Sequence, residues 1–480
     1  MRYTEIAIAS PFEGAPRINL PALYGASPKK PITLRIPVTG QRPITYGASN
    51  LPAGLTLNGG VITGQVDAEG FYTVMLTAEN ALGKAEQELT FEIKQDAVLL
   101  TPLMGFTSWN AFGPDVTQEK MEIVAKRMVD LGITEYGYSY INIDSGWQGQ
   151  YGGTFDAVMP NYKFPNMKRF CDNIHTYGLK CGIYSAPTLR CWGCPTEFEY
   201  LPGTTCGEPD ILFGDINGGV GTIRKEKNNA LQWADWGFDY LKYDWVPTDT
   251  YNAEVMRREL VATDRDFGLS ITTRAHPDFH NYWQTYINSY RNNGDSHGSW
   301  ENLLEIYRSY FDFATYMSKG HFFDLDMLDI GTCELFLSPG KKSSTFSEDE
   351  QIVAFSMRAF LSSPIQISST LEHAGEFELS LYCNEEILAI NQDCGFHTVK
   401  PHLMLENGNQ LVHCFRKKLA DGSYAFAYFN LGETTEDAAI FLDDAASVRD
   451  LWAKKDLGVM DTISFKSMPR TVRIFKVSAP

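Results

Sequence analysis

Trp236-Gly237-Phe238-Asp239-Tyr240-Leu241-Lys242-Tyr243-Asp244-Trp245 is the run on which the reading of the fold turns. Aromatic and aliphatic residues follow the turn signal at Gly237 without helical spacing, so Tyr240 to Tyr243 reads as a short buried strand. Side chains alternate faces along a strand, which puts Lys242 and Asp244 on one side and Leu241 and Tyr243 on the other. A lysine and an aspartate side by side at the end of an apolar strand are costly to bury, and a nearby ammonium would ready Asp244 as a nucleophile. Taken alone, a Lys-x-Asp pair is more often a structural ion pair, and only the rest of the chain tips the balance.

Outward from that run, residues 98–396 alternate strand and helix. Leu103-Met104-Gly105-Phe106 precedes a helix whose Met121, Val124, Ala125, Met128 and Leu131 recur at helical spacing. Further strands are expected at Tyr140 to Asp144, Leu179 to Tyr184, Leu269 to Thr272, near Asp295, at His321 to Phe323, and at Pro364 to Ile367. Repeated strand and helix units over this length predict a (β/α)8 TIM barrel, whose functional groups gather where strands end. Asp144, Asp244, Asp295, Asp324 and Asp326 all fall at such ends.

The flanks read differently. Residues 1–97 carry short β runs, such as Thr33 to Val38 and Phe71 to Leu76, between Gly, Pro and Asn turns, and predict a small sandwich. Residues 397–480 alternate as strands around an Asp421-Gly422 turn and predict an antiparallel β-sandwich domain. A net charge of −18 and the lack of any basic run exclude nucleic acid as the main partner. No apolar stretch is long enough to span a bilayer. The nine cysteines are scattered, and Cys191-Trp192-Gly193-Cys194 with Cys206 beyond lacks the second pair that a zinc site would need.

Strand-end carboxylates on a barrel serve metal ligation, proton abstraction or glycoside hydrolysis. Metal-dependent barrel hydrolases bring several histidines to the strand ends, whereas here the one tempting pair, His276 and His280, is split by Pro277. A retaining glycosidase needs two carboxyl groups roughly 5–5.5 Å apart, one as nucleophile and one as acid/base, and Asp244 and Asp295 on nearly neighbouring strands suit that need.

Several segments match one family in order: Thr101 to Phe106 with Ser108-Trp109-Asn110, Tyr140 to Asp144, Gly182-Ile183-Tyr184, Leu241 to Asp244, Tyr290-Arg291-Asn292 with Asp295, Asp324 to Leu328, and Ala389 to Asp393. Over residues 100–480 the chain resembles glycoside hydrolase family 27 of clan D. Leu51 to Leu57, Val61 to Gly64, Gly70 to Val74 and Ala78 to Asn80 resemble the immunoglobulin-like modules found beside bacterial polysaccharide-degrading enzymes. The family resemblance implies Asp244 as nucleophile and Asp295 as acid/base. It further implies Lys242, Arg291 and Asp144 as ligands of sugar hydroxyls, Trp109 as an aromatic wall, Tyr184 and Asp326 as pocket-lining residues, and no metal or organic cofactor. The activity implied is that of a retaining exo-acting α-glycosidase on an oligosaccharide or glycoconjugate, an α-galactosidase first. α-N-Acetylgalactosaminidase, β-L-arabinopyranosidase, isomalto-glucan hydrolase and a silent carbohydrate-binding protein are the alternatives.

The chain departs from the family pattern in three places. Asp144-Ser145-Gly146-Trp147 stands where two consecutive acids are usual, Arg274-Ala275-His276 where Cys-Glu-Trp is usual, and Trp245-Val246 where a cysteine often follows the nucleophile. These changes spare the chemical step and bear on the sugar recognised. The module and the resemblance imply export, although the visible N-terminus offers no leader, and a cytoplasmic location is the other expectation.

Overall fold

The computed structural model describes residues 2–187, 224–245, 248–272, 274–333 and 344–480. Among them, eight parallel strands form the central sheet: β1 (Met104–Thr107), β2 (Tyr140–Asn142), β3 (Lys180–Ser185), β4 (Tyr240–Tyr243), β5 (Gly268–Ile271), β6 (Ser289–Tyr290), β7 (Phe322–Phe323) and β8 (Ile365–Ile367). Each strand pairs with its predecessor up to β7, and β8 pairs with β1. The ring closes just past β7, where Leu328 bridges in parallel to Ile367 and donates its N–H to the Gln366 carbonyl at 3.0 Å. The expected TIM barrel is therefore present.

The quoted run shows how the barrel is built. Helix Glu226–Trp236 stops at Gly237, whose φ of +101° suits glycine and whose N–H donates to the Trp233 carbonyl at 3.0 Å. The chain then enters β4 with Tyr240 pointing into the barrel, where its ring meets Tyr140 edge-on at 5.9 Å. Tyr240 sits in register between Gly182 and Gly268, and a Cβ on either glycine would come within 2.9 Å of its ring. Small residues on both neighbours thus make room for one large interior side chain. With Tyr240 inside, alternation sends Lys242 and Asp244 along the same wall toward the C-terminal mouth. Asp239, at the opposite end, accepts from the Cys181 N–H at 2.9 Å and from Arg265 Nη2 at 2.7 Å, and anchors the barrel floor.

The N-terminal strands make a four-stranded sheet (Leu23–Ala26, Thr45–Ser49, Gly70–Asn80, Gly83–Ile93) facing a three-stranded one (Ile32–Arg35, Leu55–Asn58, Val61–Gly64). Ile62, Val74, Leu76, Leu89 and Phe91 fill the space between them. This module covers the floor of the barrel. Tyr24 accepts from Lys180 Nζ at 2.9 Å, Asp266 accepts from the Ser27 N–H at 2.7 Å, and Glu135 accepts from the Val38 N–H at 3.0 Å. A cavity of 110 Å³ remains between the two bodies, lined by Tyr24, Leu99, Leu100, Tyr140 and Lys180. The first residues of the chain leave the module altogether: the Thr4 N–H donates to Asp349 at 2.8 Å and the Ala7 N–H to the Trp452 carbonyl at 2.8 Å.

Six antiparallel strands between Lys400 and Ser478 form the C-terminal sheet. One face adds Phe415, Ala427, Phe429 and Ile474 to the barrel core, and the other closes over Cys414, Phe426, Tyr428 and Phe475. Among the described residues no helix is long and apolar enough to cross a membrane. The six described cysteines are free, and Cys191, Cys194 and Cys206 lie outside the described residues.

Candidate active site

The mouth of the barrel gathers the strand-end charges into two linked networks. In the first, Asp144 follows β2 and is 2 % exposed. Its Oδ2 accepts from Lys242 Nζ at 2.6 Å and its Oδ1 from the Ser145 N–H at 2.8 Å. Burial raises the Asp144 pKa, and Lys242 opposes that rise. Burial works against the Lys242 charge too, but the carboxylates of Asp144 and Asp244 outweigh it and raise the lysine's pKa. Asp244, one residue past β4, accepts from Tyr184 Oη at 2.9 Å on Oδ2 and from Thr272 Oγ1 on Oδ1. The hydrogen-bonded partner of Lys242 is therefore Asp144 across the sheet, not Asp244 two residues along.

In the second network, Arg291 lies just past β6 and is 3 % exposed. Its guanidinium forks, with Nη2 donating to Asp295 Oδ1 and Nη1 to Asp326 Oδ2, each at 2.5 Å. β6 ends at Tyr290, so Arg291 and Asp295 do not share one face of a continuing strand; the chain turns through residues 292–294 and brings Asp295 back onto the guanidinium. The Asp295 side chain is 55 % exposed, and Arg291 holds its pKa below the usual carboxylate range. Asp295 also feels Lys242, and Lys242 feels Arg291 and Asp326, so the two networks act as one charge cluster.

The remaining expected residues frame this cluster. Tyr184 is fully buried at the end of β3, with Lys242 Nζ 5.6 Å from its ring centre. Trp109 opens a short helix, Trp109–Phe112, directly after β1 and is half-buried. Asp326 sits at φ +64°, a left-handed conformation unusual for aspartate, and also accepts from the Ser296 N–H at 2.7 Å. Its backbone is held by Arg358, whose guanidinium donates to the carbonyls of Leu325, Asp326 and Met327 at 2.8–2.9 Å.

Sequence reasoning missed Arg358, Thr272 and Asp329. Thr272 had a visible signal, since it directly follows the strand beside β4. Arg358 lies on a helix, Glu348–Phe360, that is buried from Asp349 onward, and no local pattern marks it. The departures at Ser145 and Ala275 are both fully buried. Ser145 Oγ accepts from Gln148 Nε2 at 3.3 Å. His276 and His280 do not converge: His276 caps a 3-10 turn, Pro277–Phe279, while His280 begins the next helix and stacks on Tyr316 at 3.9 Å. Val246, beside Trp245, lies outside the described residues.

A (β/α)8 barrel bearing aspartates braced by lysine and arginine at its mouth, with a C-terminal β domain, is the architecture of a glycoside hydrolase. The chain belongs to the alpha galactosidase A family, whose model matches residues 101–205 and 210–393, and the family's C-terminal beta sandwich model matches 409–477. An Ig-domain model matches residues 15–94. Alpha-galactosidase A of Cellvibrio japonicus is 29% identical over 361 residues, covering 72% of this chain and 79% of its own. Alpha-galactosidase of Cyamopsis tetragonoloba is 27% identical over 68% of this chain and 69% of its own. A solved Bacteroides fragilis structure that carries the words "putative alpha-galactosidase/melibiase" is 29% identical with a TM-score of 0.85, covering 98% of this chain and 99% of that one. That coverage takes in the N-terminal module as well as the barrel.

Proposed function

We propose that the protein is a retaining, exo-acting α-galactosidase in which Asp244 attacks the anomeric carbon and Asp295 serves as acid/base. The observation that carries this reading is the placement of Asp244 and Asp295 in one charge cluster, each held by different donors. Tyr184 and Thr272 fix Asp244 with both oxygens engaged, so that one face of its carboxylate is aimed rather than free to rotate. Asp295 hangs from a single guanidinium nitrogen and is half-exposed, as suits a group that gives a proton to a departing oxygen and later takes one from water. Asp144, Lys242, Arg291 and Asp326 supply acceptors and donors for sugar hydroxyls, and Trp109 and Tyr184 supply apolar walls. The terminal α-galactosyl group of an oligosaccharide or glycoconjugate is the substrate, and the relatives' names support that choice. The N-terminal module and the family support an exported protein.

The module covers the barrel floor, opposite the carboxylates, which supports a structural role for it. The test is hydrolysis of p-nitrophenyl α-galactoside, α-N-acetylgalactosaminide and β-L-arabinopyranoside by wild type and by Asp244→Ala. Cleavage of the α-galactoside, lost in the variant by at least about a thousandfold and partly restored by azide, is expected. Undiminished turnover by Asp244→Ala would overturn the nucleophile assignment, and preference for another glycone would overturn the substrate.

A further inference from the structure

Asp329 lies three residues beyond Asp326 and was not among the strand-end acids expected to act. It is 3 % exposed, and each hydrogen bond of its carboxylate reaches a residue that flanks the site. Oδ1 accepts from Asn110 Nδ2 at 2.8 Å, and Asn110 follows Trp109. Oδ2 accepts from Ser296 Oγ, and Ser296 follows Asp295. The same oxygen accepts from the Gly298 N–H at 3.0 Å. One buried carboxylate therefore ties the loop carrying Asp295 to the short helix carrying Trp109, across the barrel mouth. Ser296 is gripped twice, since its N–H donates to Asp326.

We propose that Asp329 is a positioning residue for the reaction: its carboxylate latches the Asp295 loop to the Trp109 helix and so sets the reach of Asp295 to the leaving oxygen. The proposal rests on Asp295 being the acid/base. Burying a carboxylate is costly, and burial pushes Asp329 up to about 6 against the hydrogen bond from Ser296 and the charge of Arg358, with Asp326 adding to the rise and the Cys333 thiol close by. A group that served packing alone would not need that charge. Three acceptor bonds spanning two walls of one site do need it, because a carboxylate is the side chain that accepts on both oxygens without presenting a donor.

The amide of Asp329→Asn accepts on one oxygen only. With that oxygen on Ser296 and Gly298, its NH2 meets the Asn110 NH2 as Asn110 now stands, and the pair is satisfied only if Asn110 turns its own amide over, which shifts the Trp109 helix contact. The exchange Asn110→Asp with Asp329→Asn restores one acceptor opposite one donor. Each variant is assayed on two glycosides of one sugar, an activated dinitrophenyl glycoside that needs no proton and a disaccharide that does, with thermal midpoints alongside. For Asp329→Asn, kcat/KM, which reports the glycosylation step alone, is expected to fall about 10- to 100-fold on the disaccharide while on the activated substrate it changes by about threefold or less. The double exchange is expected to recover most of the loss. Ser296→Ala, which removes one bond and leaves Oδ2 paired with Gly298, should show the same split to a smaller extent and serves if Asp329→Asn fails to fold. Equal loss on both substrates, or no recovery in the exchange, would overturn the latch. Asp295→Ala is run in parallel. If it discriminates by leaving group and Asp329→Asn does not, the latch alone fails; if it does not discriminate, the acid/base assignment fails and the latch with it.

Discussion

Replacing Arg358 by methionine tests whether a residue that touches no substrate holds the site together. Its guanidinium bonds the carbonyls of Leu325, Asp326 and Met327, and of Ala354 one turn back on its own helix. Burial lowers its pKa, and the carboxylates of Asp329, Asp326 and Asp324 resist that fall. Methionine fills much of the same volume but leaves three buried carbonyls of one loop without a donor, at about 1–3 kcal/mol each. Against this stands relief of the guanidinium's own desolvation, worth several kcal/mol, so the net loss is placed at about 3–5 kcal/mol. The left-handed backbone of Asp326 adds to the effect, because that conformation costs about 1 kcal/mol and the carbonyl clamp maintains it. Once released, Asp326 would no longer orient Arg291, and turnover should fall with stability. Scanning calorimetry with kcat on the same samples reads both, and the midpoint is expected to drop by roughly 3–5 °C. Arg358→Lys should recover little, since one ammonium cannot reproduce a planar fork over three carbonyls. A midpoint within about 2 °C of wild type would refute the clamp.

Two further expectations concern protons. Burial pushes both Asp324 and Asp329 up to about 6, above their unfolded value, so each favours the folded state when protonated and loses that contribution as pH rises through 6. These two groups should therefore add about 1 kcal/mol each to stability from pH 7 to pH 5, against an opposing loss from His321 and His413, whose pKa values burial lowers. A gap in urea midpoint between wild type and Asp324→Asn that does not widen in favour of wild type over this interval would contradict it. For activity, Arg291 keeps the Asp295 proton scarce at neutral pH and places the basic limb of kcat/KM at acidic pH. Arg291→Lys, which cannot fork onto both Asp295 and Asp326, should move that limb upward, and a limb that stays or moves down would refute the coupling.

The sequence by itself determined the barrel, its flanking β domains and the positions of the acids. Buried parallel strands read as short apolar runs wherever they pack, and a charge at the end of such a run has to face the mouth. Alternation along β4 was sufficient to place Lys242 and Asp244 on one wall, because a four-residue period-two pattern is purely local. The same rule does not reach Arg291 and Asp295, where the strand ends at Tyr290 and a turn, not a pleat, joins the two. Only the tertiary structure decided which charge meets which: Lys242 with Asp144 98 positions away, Arg291 with Asp326, and Asp329 with Asn110 219 positions away. It also placed the N-terminal module on the barrel floor. These pairings depend on strand register and ring closure, which belong to the whole sheet, and no segment carries them in its own periodicity.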